Sequence, residues 1–182
     1  AITPTPTILN FPLNLVQGFQ AAQRIGNKCT LVGLHYKAIY QNSAQFSSSN
    51  GMLREVIIKV PGGLYQEDTA IINKLFNRNA GADVTANGTL LDMVDTLNTD
   101  DMIVMSDKII TLNATDSGQG MNSAVIDRKF KMSTPLHWND TSTTQPVNVR
   151  YIVLLAAKPS ANDSNFPTIE VTANLQCFYK DL

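Results

Sequence analysis

The sequence predicts an all-β protein built as two antiparallel sheets packed face to face. Three observations carry that expectation. Several segments alternate apolar and polar residues with period two, the mark of half-buried strands. Glycine, proline and asparagine signals separate these segments. No βαβ rhythm or internal repeat is present, and helical spacing is confined to short insertions. Face-to-face sheets are the layer arrangement that buries such strands. Strands of up to about twelve residues and a long helical insertion disfavour an immunoglobulin arrangement. An eight-stranded antiparallel jelly-roll sandwich with short helical insertions accommodates both.

The elements follow in order. Pro4 and Pro6 in AITPTPT predict an extended arm that enters a first strand over 8–16, interrupted at Pro12. Residues 1–16 thus form arm and first strand, and 17–182 the remainder of the same single jelly-roll domain. Gly26-Asn27 is a turn signal before a long strand over 28–41. There Val32, Leu34, Tyr36, Ala38 and Tyr40 share one face, and Gly33, His35 and Lys37 the other. In the strand over 54–60, Val56, Ile58 and Val60 are expected inward, Glu55 and Lys59 outward. Ile71, Ile72, Leu75 and Phe76 suit a short helix over 67–76, and TLLDMVDTL a second over 89–97. Residues 102–113 form a strand pair, or one strand broken near Ser106-Asp107. The stretch 125–132 alternates, and 136–138 extends it or starts a new strand after Pro135. The apolar run 148–157 predicts a central strand. Alternation is cleanest over 168–179, with Ile169, Val171, Ala173, Leu175, Cys177 and Tyr179 on one face.

Composition narrows the function. The net charge is -1 and only 16% of residues are charged, against a usual value of about 25%. A neutral, polar surface suits broad protein contact, and the whole chain lacks the charge balance of a nucleic-acid binder. No apolar run is long enough to span a bilayer. Cys29 and Cys177 are read as two buried thiols, able to pair only if their strands are neighbours.

The sequence offers little chemistry. It has no dinucleotide or P-loop glycine pattern and no Gly-x-Ser-x-Gly elbow. The two histidines, His35 and His137, have no zinc-like spacing, and structural roles are expected for both. No cofactor is expected. Asp92, Asp95, Asp100 and Asp101 are the densest acidic cluster and the one candidate for calcium; the competing reading is a solvated helix face and loop. Arg128, Lys129 and Lys131 are the densest basic cluster. Alternation turns Lys129 and Lys131 to the side of Asp127 and Arg128 to the other. With Arg24, Lys28 and Lys37 they form a candidate phosphate-facing patch.

Several short motifs carry a resemblance. Gln23-Arg24-Ile25-Gly26-Asn27-Lys28, followed by the alternating strand over 29–40, resembles the amino-proximal signature of capsid proteins from small circular single-stranded DNA viruses. Asp107-Lys108 in an Ile/Met-rich strand, Asp127-Arg128-Lys129-Phe130-Lys131, and the closing Phe178-Tyr179-Lys180-Asp181-Leu182 are similar to later segments of those proteins. The resemblance implies an eight-stranded jelly roll, a shell of sixty copies with T=1 symmetry, and a genome of single-stranded DNA, with RNA left open. It implies residence in the virion, passage through the host nucleus during assembly, and no membrane partner. Arg24 and Lys28 would lie where an arm enters the shell. Such proteins usually carry an arginine-rich arm, whereas residues 1–23 hold no Lys or Arg. Either an arm was removed, or the inner surface alone meets the genome, or the particle is empty. The competing function is a secreted or surface β-sandwich that binds carbohydrate or protein through an aromatic groove near Trp138. An enzyme would need His35 or His137 to approach a carboxylate across the fold.

Overall fold

The computed structural model describes residues 6–15, 26–42, 51–62, 67–78, 82–84, 93–112, 123–139, 145–159 and 169–181. Their elements are β1 (Thr7–Asn10), β2 (Lys28–Asn42), β3 (Gly51–Pro61), α1 (Asp68–Asn73), β4 (Phe76–Arg78), β5 (Ala82–Val84), β6 (Ile103–Leu112), β7 (Ser123–His137), β8 (Val149–Pro159) and β9 (Ile169–Asp181). Seven of these strands make a two-sheet, jelly-roll-like sandwich. One sheet has the order β1-β8-β3-β6 and the other β7-β2-β9, while β4 and β5 form a separate ribbon. Every strand pairing is antiparallel. Seven sandwich strands, not the expected eight, are present among the described residues.

The main core lies between the sheets. Cys29, Leu31, Leu34, Tyr36, Ala38 and Tyr40 of β2 meet Leu53 and Ile57 of β3 and Val149, Tyr151, Val153 and Leu155 of β8. Full burial of each large apolar side chain stabilises the fold by about 1.5–3 kcal/mol. A second core lies on the opposite face of the four-stranded sheet. Val56, Ile58 and Val60 of β3 and Ile152 and Leu154 of β8 are covered there by Ile71, Leu75, Phe76, Leu97 and Met102. The insertion between β3 and β6 is therefore a lid of apolar residues, and β3 and β8 are buried on both faces.

That double burial corrects the reading of β3. Val56, Ile58 and Val60 do point to an apolar environment, but it is the insertion and not the sandwich interior. Glu55, expected outside, faces inward and is completely buried. A second correction concerns β2. The register slips between Leu31 and Gly33 against both neighbours: Val32 is one residue extra against β9, whereas β7 carries one residue more than β2 there. Such a bulge reverses the alternation. Cys29 and Leu31 face the core before it and Leu34 onward after it, while Val32 is left 36% exposed.

The break expected near Ser106 is also a bulge: Ile57 pairs with Ser106 but Ile58 with Val104, leaving Met105 over. β6 is otherwise one strand. β7 runs unbroken through Pro135, which an edge strand tolerates because no neighbour needs its missing N–H. β1 is only four residues long and stops two residues before Pro12. The first predicted helix is present as α1, with Ile71 buried. Of the second, residues 89–92 lie outside the described residues. The rest is not α-helical: Met93 lies in a 3₁₀ turn, Leu97 bridges to Phe76, and the Asn98 amide donates to the Leu75 carbonyl at 2.9 Å.

Neither cysteine forms a disulfide. Although β2 and β9 are neighbours, Cys29 lies opposite Asp181 and Cys177 opposite Leu34, five positions apart along β2. Cys29 is buried but Cys177 only half-buried, which amends the expectation of two buried thiols. Burial pushes the Cys177 thiol up to about 11, with a hydrogen bond to Tyr179 opposing the shift. The thiolate is the reactive form. At pH 8 the folded protein should thus react with an aromatic disulfide reagent far more slowly than free cysteine does, faster as pH rises towards 11, and should yield two thiols once unfolded. Reaction of Cys177 at the free-cysteine rate would mean that the inner face of β9 is open to solvent.

Candidate nucleic-acid interface

The solvent face of the three-stranded sheet gathers most of the residues singled out in the sequence. Three strands in register make rows across it, β9 to β2 to β7. Phe178, Gly33 and Lys131 form one row; Gln176, His35 and Lys129 the next; Asn174, Lys37 and Asp127 the third. Lys180 and Thr30 lie one row beyond Phe178, and Lys28 is at the start of β2. Successive rows are ~7 Å apart along a strand. Lys28, Lys37, Lys129, Lys131 and Lys180 are all exposed, and the described acids on this face are Asp127 and Glu170. The face is basic although the chain is not, because alternation sends the lysines to one side.

His35 makes a polar contact between rows. Its Nε2 lies 2.9 Å from Asp127 Oδ1, with the side chains 20% and 47% exposed. Asp127 is in register with Lys37, so this is a diagonal pair across β2 and β7. The histidine does approach a carboxylate across the fold. The pair nevertheless sits on an open sheet face between Lys129 and Gln176. The His137 backbone is engaged: its amide donates to Asn148 Oδ1 at 2.9 Å, and its carbonyl accepts from the Val147 amide at 2.8 Å.

Arg128 does not belong to this face. It points between the sheets, with Nε 3.5 Å from Oε1 of the fully buried Glu55. This corrects its expected place among the nucleic-acid-facing residues. The other Glu55 oxygen accepts a 2.6 Å hydrogen bond from the Tyr40 hydroxyl. Since a carboxylate only accepts, Tyr40 is the donor, and its own oxygen takes the Tyr36 hydroxyl at 2.5 Å. Burial, first of all, raises both tyrosines well above the usual phenol range. They stay protonated and act as donors.

Arg54 is a buried cation, 5% exposed. It grips Asp107 through Nε at 2.9 Å and Nη2 at 2.6 Å, donates from Nη1 to the Asp95 carbonyl at 3.0 Å, and lies 5.5 Å from the Phe76 ring centre. It ties β3 to β6 and to the insertion. The Asp95 backbone is thus engaged by Arg54. Asp100 donates its amide to Asn98 Oδ1 at 3.0 Å. Among the described residues no group of three or more His, Cys, Asp or Glu side chains is placed to hold a metal ion. Asp92 and Arg24 lie outside the described residues.

A shallow concavity of about 530 Å³ lies beside α1, lined by Asn10, Glu67, Asp68, Thr69, Gln145 and Arg150. Its cation is engaged: Arg150 Nη2 is 2.7 Å from Asn10 Oδ1 and 2.6 Å from Asp68 Oδ1. Trp138 is only 3% exposed and belongs to the main core, so no aromatic groove opens at that residue.

Sequence reasoning passed over Phe178 and Lys180 as members of the basic face. The signal was present, since Phe178 occupies the polar register of the 168–179 alternation and Lys180 continues it by one step. What was missing was the lateral pairing that sets β9 beside β2. No protein-family model matches the chain, and no curated protein matches it significantly. The fold and this face define an all-β sandwich compatible with a structural or binding module.

Proposed function

We propose that this protein is a structural capsid subunit that self-assembles into a small icosahedral shell around a single-stranded genome. The observation that carries the reading is the strand order. An eight-strand ribbon rolled into a jelly roll pairs its first strand with its eighth, second with seventh, third with sixth and fourth with fifth. If β1, β2, β3, β6, β7, β8 and β9 take positions two to eight, the pairs β1–β8, β2–β7 and β3–β6 are all obtained. The cross-pairs β3–β8 and β2–β9 complete the two sheet orders. Position one then lies beside the outer edge of β9. Jelly rolls of this kind are common in viral shells, and the motif resemblance points the same way.

In this reading the protein performs assembly, not catalysis, and needs no cofactor. Its partners are copies of itself, about sixty in a T=1 shell, and packaged single-stranded DNA. Its location is the virion, with the host nucleus as an assembly site. Lys28, Lys37, Lys129 and Lys131 face the genome, with Arg24 at the shell entrance. Closed symmetry requires heterologous contacts around the rotation axes, each weak and jointly strong.

The test is assembly of the purified protein, followed by light scattering, negative-stain microscopy and the 260/280 nm absorbance ratio. Expected are spherical particles roughly 20 nm across, of about 1.2 MDa for sixty copies of the 19.9 kDa chain. A monomer that persists across salt and pH would sink the proposal.

A further inference from the structure

We infer that Phe178 is a base-stacking platform that makes the basic sheet face selective for single-stranded over double-stranded nucleic acid. The inference rests on the proposed genome-facing role of this sheet and adds how the polymer is held.

Phe178 is 50% exposed on a face that also carries the lysines, neutral polar residues, Asp127 and Glu170, with the exposed apolar pair Ile39 and Val125 three rows away. It stands opposite Gly33, whose other neighbour is Lys131. A Cβ at Gly33 would lie 3.5 Å from Phe178 Cδ2 and 3.2 Å from the Phe130 carbonyl oxygen. The phenyl ring therefore leans into the space that the missing side chain leaves. Aromatic cover of a strand glycine is a known packing device, but it uses one side of the ring, and half of the residue's surface stays open.

The surroundings are those of a single-strand site. Lys131 lies across Gly33 in the same row, Lys180 two residues along β9, and Lys129 one row below, with Gln176 and His35 between. Backbone phosphates can follow the lysines while an unpaired base lies on the phenyl face. Single-strand binders combine a cationic track with aromatic platforms in this way, and each stacked base strengthens binding measurably. In a duplex the bases are stacked on one another and hidden from a flat sheet, so Phe178 has nothing to stack with. Charge complementarity alone does not discriminate between the two.

The test is fluorescence anisotropy with end-labelled (dT)12, (rU)12 and a 12-base-pair duplex, on the full chain and on Phe178→Leu and Phe178→Trp. Phe178→Leu should weaken (dT)12 binding about tenfold or more, leave its salt dependence unchanged, and leave duplex binding unchanged. Phe178→Trp should retain (dT)12 affinity, with its indole emission quenched on binding. Parallel loss for (rU)12 would extend the site to RNA, since stacking does not read the sugar. Unchanged (dT)12 affinity in Phe178→Leu, with the salt dependence intact, would overturn stacking while leaving the basic face in place. Failure of the native protein to bind any of the three would overturn both. Loss of assembly in Phe178→Leu, with (dT)12 affinity intact, would reassign the residue to contacts between copies.

Discussion

Replacing Arg128 with methionine is expected to destabilise the fold by about 3 kcal/mol, the lower end of the range for breaking a buried ion pair. Glu55 is completely buried on β3, and Arg128 is the cation facing it. Methionine keeps the apolar stem of Arg128 without its charged end and leaves Glu55 between the sheets with the Tyr40 hydroxyl. An uncompensated buried charge is the costly part, so the second change matters. Glu55→Gln in the same chain should recover most of the loss, because a neutral amide can still accept from Tyr40. The lower end of the range applies because Arg128 is 30% exposed on an edge strand, where water can reach part of the site. Urea unfolding of both single variants and the double variant measures this. Additive losses would show that the two side chains do not sense each other.

The same variant separates structure from function. Arg128 lies in the densest basic cluster of the chain, and cluster membership alone suggested a phosphate contact. Its position in β7 decides otherwise. Asp127, Lys129 and Lys131 face solvent while Ile126, Arg128 and Phe130 face the other sheet. The alternation was visible in the sequence. The counter-charge on β3 was not, because Glu55 is 73 positions away and reads as a surface residue on a strand whose other face is more apolar.

Legibility followed the number of buried faces. β9 is buried on one face only, so its alternation assigned every side chain correctly. β3 and β8 are buried on both faces, one by the sandwich and one by the insertion. For such strands the polar–apolar pattern no longer tells inside from outside, which is why Val56, Ile58 and Val60 were assigned to the wrong core. β2 fails for a different reason. A single bulged residue reverses the phase, and nothing local marks Val32 as the extra position. The insertion was hardest, since Leu97 is held by a bridge to Phe76 and not by a helical repeat. The candidate face was half legible. Each lysine could be given a side, but the rows that set Phe178 beside Gly33 and Lys131 arise from pairings across β9, β2 and β7.

Replacing Lys37, Lys129 and Lys131 together with glutamine should give the largest change in nucleic-acid binding. All three are exposed on the solvent face of the three-stranded sheet. Surface substitutions of this kind shift stability by about 0.5 kcal/mol or less each, so the variant should fold. For single strands, each phosphate contact contributes about 0.7 to the slope of log affinity against log salt. Loss of three contacts should flatten that slope by about 2 and weaken (dT)12 binding about 100-fold at 0.1 M salt. Arg128→Met should leave the slope where it was, since its guanidinium faces Glu55. Phe178→Leu should also leave the slope alone while lowering affinity. The three variants thus give three different signatures: a changed slope, a changed stability, and a changed intercept. If the triple-lysine variant kept the native slope, phosphates would have to track some other surface, and the proposed role of the three-stranded sheet as the nucleic-acid-facing surface would fail.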